Sequence, residues 1–266
     1  MEIKNIIHNT EKIYPKMITI KIYKEPLKTF SHEYKKPQPR DDFEPDESSI
    51  RRTRTLLQDY IVCNEFELFC TFTLDPKKFK KREDFNACYL RMQAWLHSQR
   101  TTHSPDLQYL VVPEKHKKGG YHFHALISHY NGLLSDSGHK KDGRPIFNIS
   151  GWRFGFSTAV KINREEIGIV GRYVGKYITK DMSKEFGRKR YLASRNLKKP
   201  EKKHNSRIFR DTLPMGRKLL YDKDTYSFYE IDPVFFQRVK KRTERYIDLV
   251  KRQRIEEEKR LKFSST

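Results

Sequence analysis

Two histidines separated by one residue stand in the segment YHFHALIS, residues 121–128. The segment is rich in aromatic and aliphatic residues, which predicts a β-strand. Successive side chains of a strand point to opposite faces, so His122 and His124 project on the same face. Two imidazoles on one face are a recognised way to hold a divalent metal, although neighbouring histidines also occur without one.

A carboxylate is available to the same face. Glu114 lies near the end of the segment DLQYLVVPEKH, and a short glycine-containing turn joins this segment to the histidines, which predicts a β-hairpin. Pairing across the hairpin would bring the Glu114 carboxylate beside the imidazoles. Two imidazoles and one carboxylate suit Mg²⁺ or Mn²⁺ in an active site, whereas a structural zinc site has four protein ligands. We expect His116, in the turn, to be a bystander rather than a competing ligand.

A second reactive set lies in the segment GRYVGKYITKD. Tyr173 and Tyr177 are four residues apart, so they share one face of a helix. Lys176 and Lys180 each follow a tyrosine by three residues. The pattern fits an amphipathic helix with tyrosine rings in the core and lysines reaching water. It also fits a nucleophilic site, because a tyrosine can attack a phosphodiester and a nearby cation favours the phenolate.

The two sets together predict phosphodiester chemistry. A metal held by the histidines and Glu114 would bind the non-bridging oxygens of a phosphate, polarise phosphorus and fix the in-line geometry. A tyrosine from the helix would then displace the 3′-oxygen.

The order of predicted elements indicates how these residues are positioned. A helical pattern begins at Ser49, a strand covers Phe66–Pro76, and a second helix follows in EDFNACYLRMQAWLHSQR. After the hairpin, Gly151–Ile162 is a further strand, and Asn163 caps the helix that carries the tyrosines. This order predicts an α+β layer in which helices cover one face of a mainly antiparallel sheet.

The domain organisation follows from composition along the chain. Residues 1–50 are predicted to be an N-terminal arm and linker, with a short edge strand in MITIKIY before the proline-rich, charged segment KKPQPRDDFEPDESS. Residues 51–210 would form the catalytic domain. Residues 211–266 would form a basic hairpin, in KLLYDKDTYSFYEID, and a helical tail.

The composition points to a polyanionic partner. The 266 residues include 56 Lys and Arg against 34 Asp and Glu, a net charge of +22, which favours nucleic acid first and an anionic membrane second. No apolar run approaches the roughly 20 residues of a spanning helix, and no signal-peptide pattern begins the chain. We therefore expect a cytoplasmic protein with no membrane partner. The 3 cysteines lack CxxC spacing, which argues against a disulfide framework and a zinc cage.

Three segments, in this order, resemble motifs of the HUH-endonuclease family, the rolling-circle replication initiators of single-stranded DNA phages, plasmids and integrative elements. FCTFTLDP resembles the first, structural motif, YHFHALI the metal-binding motif and YVGKYITKD the tyrosine motif. The spacing of Tyr173 and Tyr177 is similar to that of phage-type initiators, whose two tyrosines alternate as nucleophiles. Single-tyrosine members carry Tyr-x-x-Lys, which either tyrosine satisfies. The motif therefore leaves open which tyrosine attacks.

The resemblance implies a metal-dependent, site-specific nickase and ligase that initiates rolling-circle replication. Tyr173 or Tyr177 would attack the origin strand, leaving a 5′-phosphotyrosine and a free 3′-hydroxyl, with Glu114 as a third ligand beside the histidines. The implied fold is α+β, an RRM-like arrangement with a central antiparallel sheet of about five strands and helices packed on one face. The implied partners are single-stranded origin DNA and a host DNA polymerase and helicase. No GxxxxGK[ST] segment occurs, so we expect no nucleotide cofactor.

Basic residues after and within the tyrosine segment are predicted to contact DNA phosphates, although blocks of like charge are often merely solvated. They are Arg172, Arg188, Lys189, Arg190, Arg195, Lys198 and Lys199.

Two other functions fit the sequence. A non-catalytic protein that binds origin DNA or RNA would use the same sheet and basic surface for stacking and phosphate contacts. An HUH transposase or conjugative relaxase is the nearer alternative, and the short chain argues against a relaxase with a fused helicase.

Overall fold

The computed structural model describes residues 3–30, 47–116, 119–163, 167–176, 190–205, 217–231, 234 and 241. The chain forms two compact units, Met1–Lys35 with Pro200–Thr266, and Lys36–Lys199. Each unit contains its own antiparallel sheet.

Twelve strands and three helices are found within the described ranges. The strands are β1 (Ile3–Ile13), β2 (Ile18–Phe30), β3 (Leu68–Thr73), β4 (Gln108–Lys115), β5 (Tyr121–Ser128), β6 (Leu134–Lys141), β7 (Arg144–Ile149), β8 (Ser157–Lys161), β9 (Leu192–Ala193), β10 (Glu201–His204), β11 (Arg217–Asp222) and β12 (Tyr226–Ile231). The helices are α1 (Glu47–Cys63), α2 (Phe85–Thr102) and α3 (Ile167–Lys176).

The sheet of the Lys36–Lys199 unit has seven strands in the order β6-β7-β8-β3-β5-β4-β9, and every neighbouring pair is antiparallel. β5 lies between β3 and β4, and α2 connects β3 to β4, so these elements form a split β-α-β unit. The predicted β4–β5 hairpin is confirmed. The sequence predicted about five strands. The two additional strands are the β6–β7 hairpin, which turns at Asp142 and Gly143 with φ of 50° and 76°.

The same hairpin changes the topology that we expected. An RRM-like β-α-β-β-α-β chain has a second helix between its third and fourth strands. Here the connection from β5 to β8 contains β6 and β7 and no helix, and α3 follows β8 instead.

Helices cover both faces of this sheet, so the prediction of helices on one face is wrong. On one face α2 packs through Met92 and Leu96 against a cluster that includes Phe123. On the other face α1 and α3 pack through residues such as Ile61 and Val174 against a cluster that includes Leu126. The reason is that β5 is buried on both sides, and a strand with two buried faces needs a layer on each.

The second sheet, in the Met1–Lys35 and Pro200–Thr266 unit, has the strand order β10-β1-β2-β12-β11. Its buried core contains Ile18, Ile20 and Ile231. The predicted hairpin after residue 211 is confirmed as β11–β12. Residues 3–30 form β1 and β2, whereas we expected an arm with an edge strand. β2 is interior because it pairs with β12, a strand far away along the chain.

Some predictions fall on residues that are not described. The proline-rich linker and most of the helical tail lie outside the described ranges, and of the predicted tyrosine helix only residues 167–176 lie within them. Among the helices that are described, none has the length and apolar character needed to cross a membrane.

Gly155 allows the segment before β8 to approach β3 closely. The backbone N–H of Thr73 donates to the carbonyl of Phe156 at 2.8 Å, and the N–H of Asp75 donates to the carbonyl of Phe154 at 2.9 Å. A β-carbon at Gly155 would overlap the carbonyl oxygen of Thr73 and lie 2.7 Å from the nitrogen of Asp75. Because both obstacles are backbone atoms, no rotamer change relieves the overlap.

We therefore expect Gly155→Ala to lower the free energy of unfolding by about 1–3 kcal/mol, the usual cost of inserting atoms into a packed site. Urea unfolding at 25 °C measures the change. Gly151→Ala is the control, because a β-carbon there approaches only side-chain atoms of Gln99, at 3.3 Å or more. Equal unfolding midpoints for Gly155→Ala and the unmodified protein would contradict the close approach.

Candidate active site

Three adjacent strands place the predicted ligands on one face of the sheet. In the register of β4, β5 and β3, Glu114 is opposite His122, and His122 is opposite Thr73. Val112 and Thr71 flank His124 in the same way. Directly opposed residues share a face, so the two histidines, Glu114 and two threonines form one polar group.

His124 is the most buried member of this group. Its Nε2 lies 2.7 Å from Oε2 of Glu114, and its Nδ1 lies 3.3 Å from Oγ1 of Thr71. The His124 side chain is 7% exposed, whereas that of Glu114 is 38% exposed. Burial lowers the pKa of His124, and the neighbouring Glu114 opposes that shift.

His122 has a similar arrangement closer to solvent. Its Nδ1 lies 3.3 Å from Oγ1 of Thr73, and its ring stacks on that of His116 with centroids 5.1 Å apart. Burial lowers the pKa of His122, and positive charge on His116 would lower it further. Both pKa shifts favour the neutral imidazole, which is the form that binds metals.

The two threonines can support either tautomer of their histidines, because a hydroxyl both donates and accepts. With Nε2–H of His124 donating to Glu114, the Thr71 hydroxyl donates to Nδ1. With the proton on Nδ1, the same hydroxyl accepts it and the Nε2 lone pair is free for a ligand. A hydrogen bond that fixes the second ring nitrogen is the usual support of a metal-binding histidine.

The donor types therefore fit a divalent metal, but no complete ligand set is assembled. Within the described ranges, no group of three or more His, Cys, Asp or Glu side chains is positioned to hold a metal ion. Instead the Glu114 carboxylate and His124 Nε2, two of the predicted donors, bond directly to each other.

Tyr173 lies beside the histidines. Its ring meets His124 edge to face at a centroid distance of 6.3 Å, and it meets Phe69 in the same way at 5.6 Å. Phe69 in turn stacks on His124 at 6.0 Å with nearly parallel rings. Tyr173 is 40% exposed, and Nζ of Lys176 lies 5.9 Å from its ring centre. The structure thus brings one of the two predicted tyrosines to the histidine face.

Several predicted residues cannot be positioned. Tyr177, Lys180, Arg188 and Lys189 lie outside the described residues. Arg172 is in α3, but its side chain is also not described.

The remaining predicted DNA contacts lie in the 190–199 segment. Arg190 is partly buried and donates to the hydroxyls of Ser49 and Thr53 in α1, at 3.1 and 3.3 Å, so it has a structural role. The Asn64 side chain anchors the backbone of Lys198 through two hydrogen bonds of 2.9 Å. The side chains then remain available to solvent at the exposed residues Arg195, Lys198 and Lys199.

Sequence reasoning missed the supporting residues Phe69, Thr71 and Thr73. They alternate along β3, which was recognised only as a structural strand. A signal was present, because antiparallel pairing of FCTFT with YHFHA can set two threonines opposite two histidines. Only the register, however, decides that they are opposed.

Fold and site define an α+β protein whose antiparallel sheet presents two histidines beside a tyrosine on a helix. Residues 67–182 match a family model of replication-associated proteins, the ORF2 type. The matched segment runs from β3 through α3 and so contains the whole polar group and Tyr173. Residues 1–66 and 183–266 lie outside it. No curated protein and no solved structure matches the chain.

Gly171 sets the distance between α3 and α1, and thereby the position of Tyr173. A β-carbon at Gly171 would lie 3.0 Å from Oε1 of Gln58 and 3.2 Å from Cγ2 of the buried Ile61. By contrast, a β-carbon at Gly175, one turn later, would meet no atom within 4 Å.

We expect Gly171→Val to lower the free energy of unfolding by about 1–3 kcal/mol through overpacking. Gly175→Ala is the matched control and should be neutral or stabilising, because alanine favours helix over glycine. Thermal unfolding of both variants measures the difference. The packing described for α3 is contradicted if Gly171→Val unfolds at the same temperature as Gly175→Ala.

Proposed function

We propose that this protein is an HUH-type endonuclease that nicks and rejoins single-stranded DNA at a rolling-circle replication origin. The observation that carries the proposal is the position of Tyr173 against His124, on the sheet face that also holds His122 and Glu114. The match of residues 67–182 to replication-associated proteins supports the same reaction class.

The proposed cleavage is one transesterification. The Tyr173 phenol loses its proton, its oxygen bonds to phosphorus, and the bond between phosphorus and the 3′-oxygen breaks. The 3′-oxygen takes up a proton, so the products are a 5′-phosphotyrosine and a free 3′-hydroxyl that a host polymerase extends. Attack by a 3′-hydroxyl on the phosphotyrosine reverses the step and joins the strand, so no other energy source is required.

Individual side chains have separate roles in this proposal. His122, His124 and Glu114 would hold Mg²⁺ or Mn²⁺, which when bound would neutralise charge on the scissile phosphate. Thr71 and Thr73 keep the imidazoles oriented. Lys176 favours the Tyr173 phenolate electrostatically. Tyr177 and Lys180 would form the second nucleophile and cation, and exposed Arg195, Lys198 and Lys199 would contact phosphates. A partner helicase would separate the strands.

A non-catalytic origin-binding protein is the second candidate, and one observation favours it. The direct bond between Glu114 and His124 satisfies both of these groups without a metal. Such a protein would bind DNA equally with or without a chelator and would form no covalent adduct.

The tyrosine assignment predicts that changing both Tyr173 and Tyr177 to Phe abolishes covalent adducts with DNA. Protein and labelled single-stranded DNA from its replicon are incubated with Mn²⁺ and resolved on a denaturing gel, and peptide mass analysis locates the adduct. Tyr130→Phe is the control, because the buried Tyr130 hydroxyl has no hydrogen-bond partner among the described residues. Adducts that persist in the double variant would overturn the proposal.

The ligand assignment predicts that His122→Ala and His124→Ala each remove metal-dependent cleavage but change affinity for single-stranded DNA only a few-fold, since phosphate contacts dominate affinity. Cleavage in a Mn²⁺ titration and fluorescence anisotropy in EDTA measure the two properties. The exposed His97, on the outer helix α2, provides the control variant His97→Ala. If both histidine variants cleave at the unmodified rate, His122 and His124 are not ligands.

A further inference from the structure

Phe156 lies unusually open to solvent next to the candidate active site. It is 73% exposed, although its backbone is hydrogen-bonded to Thr73 of β3 at 2.8 Å. Single exposed apolar side chains are common on proteins, so exposure alone carries no argument. The argument comes from three further observations, on register, rigidity and charge.

The register puts Phe156 on the histidine face. β3 and β8 pair Thr71 with Thr158 and Phe72 with Ser157, and the next opposed pair is Thr73 with Phe156. Thr73 is opposed to His122 on its other side. His122, Thr73 and Phe156 therefore form one row across three neighbouring chain segments. Two inter-strand spacings separate the ends of the row, about 10 Å, which is about three stacked nucleotides of one DNA strand.

The position of Phe156 is fixed by its neighbours. Gly155 is in close contact with the backbone of β3, and Phe154 is hydrogen-bonded to Asp75 through its carbonyl. Ser157, on the opposite face, is buried and exchanges hydrogen bonds with Ile149 at 2.9 and 3.3 Å. An aromatic ring on a fixed backbone loses little conformational freedom when it contacts a ligand.

A basic loop adjoins this row. The β3–α2 loop, residues 74–84, contains five cations, namely Lys77, Lys78, Lys80, Lys81 and Arg82. Asp75 folds its first turn by accepting hydrogen bonds from the backbone of residues 77–79. At its far end the Arg82 carbonyl accepts from the N–H of Tyr121, next to His122. The four lysines are exposed. The loop thus provides positive charge beside both ends of the row.

We propose that Phe156 stacks on an unpaired base of the bound DNA strand while the β3–α2 loop contacts the neighbouring phosphates. This subsite rests on the proposed function and deepens it, because it sets which nucleotide lies against His122. A base offers a π-face irrespective of its identity, so the subsite takes single strands of any sequence and excludes paired bases.

Binding without metal tests the subsite separately from cleavage. Fluorescence anisotropy in EDTA at low salt compares a labelled thymidine oligonucleotide with the same backbone carrying abasic sites throughout. Stacking contributes about 1–3 kcal/mol per base, so Phe156→Ala should weaken thymidine binding about 5- to 150-fold. It should leave binding of the abasic strand unchanged, since the phosphates are the same. Phe156→Trp should retain thymidine binding.

Two controls separate stacking from other effects. Leu133, an equally exposed apolar residue at 72%, gives the control variant Leu133→Ala, which should bind both strands normally. Lys80→Ala with Lys81→Ala should weaken both strands alike and reduce the dependence of affinity on salt, whereas Phe156→Ala should not change the salt dependence.

The outcomes distinguish the two proposals. If Phe156→Ala binds thymidine as tightly as the unmodified protein, or weakens the abasic strand equally, the stacking subsite is overturned even where the unmodified protein forms adducts. Loss confined to the thymidine strand supports the subsite. It does so even if no adduct forms, in which case the nicking proposal alone is overturned.

Discussion

The antiparallel register of β5 between β3 and β4 is the constraint on which the rest of the site depends. One register sets His122 opposite both Glu114 and Thr73, and His124 opposite Thr71. A slip of one residue in either pairing would move the partner side chains to the α2 face. The apolar residues make that slip costly, because Phe123 and Leu126 are fully buried on opposite faces. Hydrophobic burial thus fixes the geometry of a polar group that contributes little burial itself.

The two helix layers divide the work between stability and chemistry. On the α2 face the core is rich in aromatic rings, with Phe72, Trp95 and Trp152 in mutual contact. On the other face, α1 and α3 leave the histidine end of the sheet partly open, so that Glu114 and Tyr173 reach solvent while Val174 is buried. The close approach at Gly171 and the ring of Phe69 connect helix packing to the position of the tyrosine.

The electrostatics of the site follow from partial burial in a strongly basic chain. Desolvation lowers the pKa of both histidines, and Glu114 is the acidic group that opposes it. A carboxylate bonded to a neutral imidazole is stable without a metal, yet the same atoms are donors that suit a divalent ion. The Thr71 and Thr73 hydroxyls make the two states compatible, because they accept or donate as the tautomer requires.

The sequence by itself determined the local features of this protein. Period-two alternation identified the histidine strand, the glycine turn identified its hairpin with β4, and helical spacing identified the tyrosine segment. It also contained a hairpin signal that was missed, because Asp142 and Gly143 are the residues that a tight turn between β6 and β7 requires. These features depend on neighbouring residues, which is why they can be read from a short window.

Only the tertiary structure decided which distant residues meet. Pairing of β2 with β12 made the first residues of the chain part of a sheet, and burial of β5 on both faces put helices on both sides. Register alone set Thr71 and Thr73 against the histidines and brought Phe156 into their row. The physical reason is that strand pairing joins segments far apart in sequence through backbone hydrogen bonds, which carry no residue identity, so side-chain patterns specify the faces of a strand but not its neighbours.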